Sequence, residues 1–488
     1  MKKQKQSPAK LTKLADAVLI VGGIFSLFVL SYFLYRYYWT GASQFSGSMG
    51  MMLYYVVPAG VAALLFASLR LRPAYKIALA ILCLSLTASL YVAEYFLFVS
   101  EKPVWVGVPK EKKNEITQLA RQYGVDFDTR DNLEVLADLQ RQGVEAVRPV
   151  VLPMLEKRDG SMKSAINIRG SEVIPLGGIA DKVTVLCNQS GQWITYKSDA
   201  YGFHNPRKIW ESGHVEIAAL GNSFTQGYCV PSGKNFAALI RSHYPATLNL
   251  GMAGEGPLLM LAMFNEFLPP FKPKVVLWFY FEGDHLFDLQ KETKSHLLMR
   301  YLKDNFTQDL AARKRDIDRA ILDYVEKRHA KRMTEPPTKP NGGGERLDQL
   351  PEIINLAAVR RKLGLVYGTT TEEQETIADL KGEAMDLFRD ILSQAKSRVS
   401  SWNGKLYFIY LPSWGRYANK NPGNAGKQRT TVLMLAKKLG LDIIDMNPVF
   451  EAQDDPLSLF PFRRFHHYNE QGHQVVAREV LRAISKSM

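Results

Sequence analysis

Hydrophobic positions fall into two regimes along this chain. In the first hundred residues they run together: 17–35 and 51–69 are uncharged, and 77–100 carries only Glu94. About 20 consecutive apolar residues cross a bilayer, so three transmembrane helices are expected over a membrane anchor at 1–100. The first is an uncleaved anchor, because its core is too long for a signal peptide and no small-residue cleavage site is convincing. Beyond residue 100 the pattern breaks into short periodic segments. Residues 111–123 and 132–142 repeat at helical spacing, with Asp131 or Asn132 as cap and Gly143 as stop. They make 101–180 a helical connecting region without recognisable chemistry. Segments 183–187 and 193–196 read as a hairpin around Asn188-Gln-Ser-Gly191.

From residue 215 strands alternate with helices: strands 217–220, 246–250 and 274–281, helices near 234–242 and 257–267. Such alternation predicts an α/β domain, here 181–488, with a parallel sheet covered on both faces. An insertion at about 288–400 interrupts it. Leu302, Phe306, Leu310, Ile317, Ile321 and Tyr324 recur at helical spacing, and Pro336, Pro337, Pro340 and Gly342 to Gly344 mark an exposed linker. A further helix follows from about Thr371, a cap with Gln374 three residues on, to Ser400. This insertion is expected either as a helical lid or side lobe over the site, or as inert decoration. Strands at 406–411 and 441–446 and a C-terminal amphipathic helix complete the chain.

Charge orients the anchor. Lys2, Lys3, Lys5, Lys10 and Lys13 precede the first apolar run, and Arg70, Arg72 and Lys76 separate the second from the third. Residues 40–50 carry no charge, with only Arg36 at their edge. The positive-inside rule then puts the N-terminus in the cytoplasm and, after three crossings, residues beyond about 100 outside it. The net charge of +14 is therefore assigned to a lipid surface or a solvated face, and nucleic acid is not an expected partner. Of three cysteines, Cys83 lies in an apolar run. Cys187 and Cys229 lie in the exported part, as two buried thiols or as a disulfide; compartment and even count favour the disulfide.

One stretch carries the candidate chemistry. In Glu216-Ile-Ala-Ala-Leu-Gly-Asn-Ser-Phe-Thr-Gln-Gly a buried strand runs into a glycine turn, a serine and a second glycine. Ser223 thus falls at the carboxyl end of a strand, where α/β sheets carry reactive groups. The same residues also fit a serine turn that merely caps a helix. Three later segments bear on the choice: Leu248-Asn-Leu-Gly-Met-Ala-Gly-Glu-Gly256, Val275 to Leu286 with Glu282-Gly-Asp-His285, and His467-Tyr-Asn-Glu-Gln-Gly-His473. In this order the four segments resemble the SGNH/GDSL hydrolase superfamily over roughly residues 180–488. Cys187-Asn-Gln, Ser198 to Pro206 and Tyr410 to Tyr417 are similar to a membrane-anchored bacterial branch of it.

The resemblance implies an ester hydrolase or acyltransferase without a cofactor. Ser223 would be the nucleophile and His467, followed by Asn469 and Gly472, the general base; His466 and His473 fit the pattern less well. The oxyanion hole would use the N–H groups of Ser223 and Gly254 and the side chain at Asp284. Three residues depart from the family. Asn222 replaces the Asp of the GDS motif. Arg464 stands where the acid that orients the base is expected, so Asp445, Asp454 or Asp455 would have to supply one. Asp284 replaces an Asn donor, so the hole would need a protonated Asp284 or His285 instead. These departures fit a Ser–His dyad on an acyl ester, with acylated cell-envelope polysaccharide as the substrate the compartment implies. They also fit a catalytically degenerate domain that binds glycan or assists envelope assembly. No HExxH, Cys-x-x-Cys or glycine-rich phosphate loop occurs, so neither metal nor cofactor is expected.

Overall fold

The computed structural model describes residues 8–40, 52–100, 110–149, 155–158, 161–303, 306–334, 356, 359, 383–418, 424–464, 467–485, 487 and 488. The expected linker at 336–344, the cap at Thr371 and His466 lie outside them. The chain divides into two compact units, Met1–Pro103 with Lys339–Ala378, and Val104–Thr338 with Asp379–Met488.

The first unit is helical: Pro8–Thr40, Val57–Ser68 preceded by a π-helical turn at Met52–Val56, and Pro73–Ser100. Among the described residues two helices, Ala9–Tyr35 and Pro73–Phe96, are long and apolar enough to cross a membrane, not the three expected. The middle apolar run is shorter, Tyr54–Ser68. Pro58 sits in its first turn, where a missing N–H is tolerated; just before it the backbone runs as the π turn and not as regular α-helix. Leu64, Phe25, Phe28 and Phe96 are each about two-thirds exposed on this unit. Its helices are joined by polar contacts as well: Ser26 Oγ donates to the Pro58 carbonyl at 2.8 Å, and Lys76 pairs with Asp16 at 2.9 Å. Glu94 is fully buried and accepts the Val359 N–H at 2.8 Å.

The second unit is mixed α/β. Its first sheet joins β1 (Ala146–Val147), β2 (Val183–Cys187) and β3 (Ile194–Lys197), with β2 and β3 forming the antiparallel hairpin read from Asn188 to Gly191. Residues 101–180 are thus not purely helical. The helices Lys110–Gln122 and Asn132–Arg141 are there, the second with Asp131 and Glu134 in a reciprocal capping box. They are followed by β1 and by the short pairs 155–158/161–164 and 167–168/171–172. Strands of two to four residues carry too little alternation to be legible.

The main sheet is fully parallel, in the order β8 (Asp442–Asp445), β7 (Lys405–Leu411), β6 (Val275–Phe281), β4 (Ile217–Leu220), β5 (Thr247–Asn249). Every residue of β4, β5 and β6 is buried, as the near-continuous apolar runs of a sheet covered on both faces require. The chain passes from β4 to β5 on one side, then jumps across β4 to β6. The crevice beyond the carboxyl ends of β4 and β6 is therefore the topological switch point, where open α/β sheets bind ligands.

Two long helices of the insertion lie among the described residues. Glu383–Ser401 turns Phe388, Ile391, Leu392, Ala395 and Val399 inward as a sheet-covering helix just before β7. In Lys314–Thr334, Ile317 and Ile321 are buried.

Candidate active site

Ser223 is set by a turn with no slack. A Cβ on Gly221 would lie 2.1 Å from Thr225 Oγ1, so only glycine lets the chain fold back there. The Asn222 side chain accepts the Phe224 N–H at 3.1 Å and caps the short helix Ser223–Gln226. Asn222 thus braces the turn without needing a charge. Ser223 is the first residue of that helical turn, so its own N–H has no intrahelical acceptor and is available to a ligand.

His467 approaches from the last loop of the chain. Tyr468 is buried and donates to the Pro412 carbonyl at 2.6 Å; Asn469 donates to the Ser458 carbonyl at 2.7 Å and caps the helix Glu470–Ile484 by accepting the Gly472 N–H at 3.0 Å. These bonds fix the residues that follow the imidazole, and Phe224 and Tyr228 pack within 5.0 Å of its centroid. Its Nε2 then lies 2.9 Å from Ser223 Oγ. Its Nδ1 faces Gln189, with the amide nitrogen at 3.0 Å and the amide oxygen at 3.2 Å.

Gln189, the last residue of the Cys187-Asn-Gln segment, was given no role of its own in the sequence. It sits in the β2–β3 turn, which several ties hold in place. Asn188 donates to the Asp128 carbonyl at 2.9 Å and accepts the Gly191 N–H at 2.9 Å, while Asp128 N–H donates to the Gly191 carbonyl at 2.8 Å. Cys187 and Cys229 are bonded, with Cα atoms 5.3 Å apart. That bond joins β2 to the chain just past the serine turn.

Of the three candidate acids, two are engaged elsewhere. Asp445 pairs with Arg429 and accepts the Asn447 N–H at 3.1 Å. Asp455 accepts the Leu457 N–H at 3.2 Å and pairs with Arg463 at 2.6 Å. Asp454 is exposed. Arg464 is mostly exposed and lies 3.7 Å from Glu115, where solvent screens it.

The glycine loop is bonded onto the serine turn. Met252 N–H donates to the Gly221 carbonyl at 3.2 Å and Ala253 N–H to Gln226 Oε1 at 3.0 Å. Gly254 follows in a left-handed conformation, φ +84°, and is exposed. Asp284 is exposed at the start of the helix His285–Glu292 and does not cap it with its side chain. His285, the next residue, is a core histidine. It is fully buried, its Nδ1 accepts the Phe281 N–H at 3.2 Å, and burial lowers its pKa to about 3. His473 is a second core histidine: its Nδ1 accepts the Phe236 N–H at 3.1 Å, and burial, then the neighbouring His467, lowers its pKa to about 3.

Buried carboxylates brace the same rim. Glu282, one residue past β6, pairs with Arg416 and accepts the Ser413 N–H at 2.7 Å. Glu292 accepts the Gly256 and Leu258 N–H groups at 2.7 and 2.9 Å, and burial, then Asp288, raises its pKa to about 8. Glu255 is fully buried, no described residue hydrogen-bonds its oxygens, and burial with Glu292 nearby holds its pKa well above the usual range. Among the described residues no group of three His, Cys, Asp or Glu is placed to hold a metal.

No family model matches the chain, and no curated protein matches it either. It is similar to several solved structures. An acetyl xylan esterase, AlAXEase, is 12% identical over 55% of this chain and 100% of its own, with a TM-score of 0.29. A member of the lipolytic G-D-S-L family from Veillonella parvula is 13% identical over 56% of this chain and 99% of its own, also at 0.29. A two-domain esterase active on acetylated mannans is 13% identical over 58% of this chain and 52% of its own, again at 0.29. With scores at that level, the α/β assignment rests on the parallel sheet and its serine turn.

Proposed function

We propose that this chain is a membrane-attached acyl-ester hydrolase, or acyltransferase, of SGNH type, with Ser223 as nucleophile and His467 as general base. The observation that supports this most is the 2.9 Å hydrogen bond between Ser223 Oγ and His467 Nε2 at the switch point of a parallel sheet. In the reaction, Oγ attacks the ester carbonyl as Nε2 takes its proton. The carbonyl oxygen draws on the N–H groups of Ser223 and Gly254. Nε2 then protonates the leaving alcohol, and water or an acceptor hydroxyl repeats the sequence to release the acyl group. The substrate class is an acyl ester of cell-envelope polysaccharide, inferred from the compartment.

The first unit anchors the chain in the cytoplasmic membrane, with the N-terminus inside and residues beyond about 100 outside. This topology needs an odd number of crossings, so Met52–Val56 and Val57–Ser68 must cross together. At five and twelve residues they meet the lower bound for a span. The lysine and arginine asymmetry and the bonded Cys187 and Cys229 support it. Reporter fusions at Lys110 and at the C-terminus should be active only with an export-dependent reporter; cytoplasmic activity at both overturns the topology.

For the chemistry, the full chain in detergent should hydrolyse 4-nitrophenyl acetate, and Ser223→Ala should lower the rate on the order of a thousandfold or more. A wild type that is silent, while Asp284→Asn is active, would make the natural protein a degenerate domain with a binding or assembly role.

A further inference from the structure

The face of His467 turned away from Ser223 meets a side chain without charge. We propose that Gln189 is the positioning residue for His467, in the place a carboxylate holds in serine triads, and that it supports both tautomers of the imidazole instead of enforcing one. The assignment rests on the reading of His467 as the base.

Only the tautomer with hydrogen on Nδ1 leaves Nε2 free to take the serine proton. Gln189 Oε1, at 3.2 Å from Nδ1, accepts from that tautomer. Gln189 Nε2, at 3.0 Å, can instead donate to a bare Nδ1. Hydrogen then sits on His467 Nε2 and is given to Ser223 Oγ, an arrangement in which the serine is not activated. An amide rotated by a half-turn serves either state, because it carries a donor and an acceptor at nearly equal reach. A carboxylate could only accept, and would fix the competent tautomer. It would also stabilise the imidazolium formed during attack by a full charge, where an amide offers only a dipole.

The placement is built. The β2–β3 turn is bonded to Asp128 through Asn188 and Gly191. Two residues before Gln189, Cys187 is joined to Cys229. A side chain held on both flanks of its turn loses little freedom when it meets the imidazole.

The test uses the full chain in detergent and a fluorophosphonate probe. Ser223 Oγ displaces fluoride from phosphorus, and its proton leaves through His467. Labelling rates are measured from pH 5 to 9, with Ser223→Ala as blank and thermal midpoints as the folding control. Gln189→Leu should slow labelling about tenfold or more. Gln189→Glu should speed it at high pH and move the acid limb upward by about 1–3 pH units, since a facing carboxylate favours the charged imidazole. Gln189→Leu labelled at the wild-type rate, or Gln189→Glu with an unmoved limb, overturns the proposal. If Gln189→Leu fails to fold, the limb of Gln189→Glu decides alone. Labelling with the shifted limb but no turnover of acetyl esters supports Gln189 and removes the esterase reading. Absence of labelling in wild type and Gln189→Glu alike overturns both.

Discussion

The two sides of the His467 ring are held by different physics. On the Nε2 side, Ser223 follows, after the Gly221-Asn222 turn, an interior strand whose four residues are all buried, so burial of the sheet fixes the hydroxyl. On the Nδ1 side, Gln189 belongs to a hairpin outside that sheet, fixed by side-chain hydrogen bonds to Asp128 and by Cys187–Cys229. The first side forms wherever the sheet forms. The second depends on a covalent bond whose persistence is set by the surroundings, so one half of the site is robust and the other is conditional.

The largest disruption should come from the sheet side. Gly221→Ala puts a Cβ 2.1 Å from Thr225 Oγ1 and 3.0 Å from Phe279 Cβ. Ester hydrolysis should fall to the level of Ser223→Ala, and the thermal midpoint should drop with it, because overpacking a rigid turn costs about 1–3 kcal/mol or more. On the hairpin side, the double variant Cys187→Ser, Cys229→Ser should unfold with about 2–4 kcal/mol less stability in denaturant titration yet retain a measurable fraction of activity. Equal losses from both variants would mean that the two sides are one cooperative piece.

Smaller changes sharpen the picture at the rim. Asp284→Asn should raise kcat by about tenfold if a carboxylate faces the oxyanion there; an unchanged kcat puts Asp284 outside its reach. Glu292→Gln should alter pH dependence more than activity. The folded pKa of Glu292, about 8, stands above the 4.5 ordinary for a glutamate in water. Its stabilisation is therefore complete below about 4.5 and is lost as pH rises through about 8. The thermal midpoint of the wild type should decline across that window, and Glu292→Gln should flatten the decline.

Much of the sheet was legible because its strands are continuous apolar runs. Strand 217–220 stands as expected, and 246–250 and 441–446 shorten only to Thr247–Asn249 and Asp442–Asp445. The serine turn was legible for the same local reason: its glycines are demanded by contacts within a few residues. The place of Gln189 against His467 was not, because the two are 278 residues apart and the segment Cys187-Asn-Gln marks a resemblance without assigning the glutamine a contact. The buried pair Glu255 and Glu292 was hidden likewise, since sequence assigns carboxylates to solvent. Among the spans, hydropathy saw composition but not the π turn and the shorter helix at 54–68.

The sequence separation of 244 between Ser223 and His467 has a consequence for how the protein is made. Chains grow from the N-terminus at about 5–20 residues per second. The N-terminal helices, the hairpin and the serine turn are therefore synthesised roughly 10–50 s or more before His467. Until then the nascent protein holds Ser223 without its 2.9 Å hydrogen bond to His467. A ribosome stalled between the two residues leaves a polypeptide in which, on the function proposed above, the serine has no base.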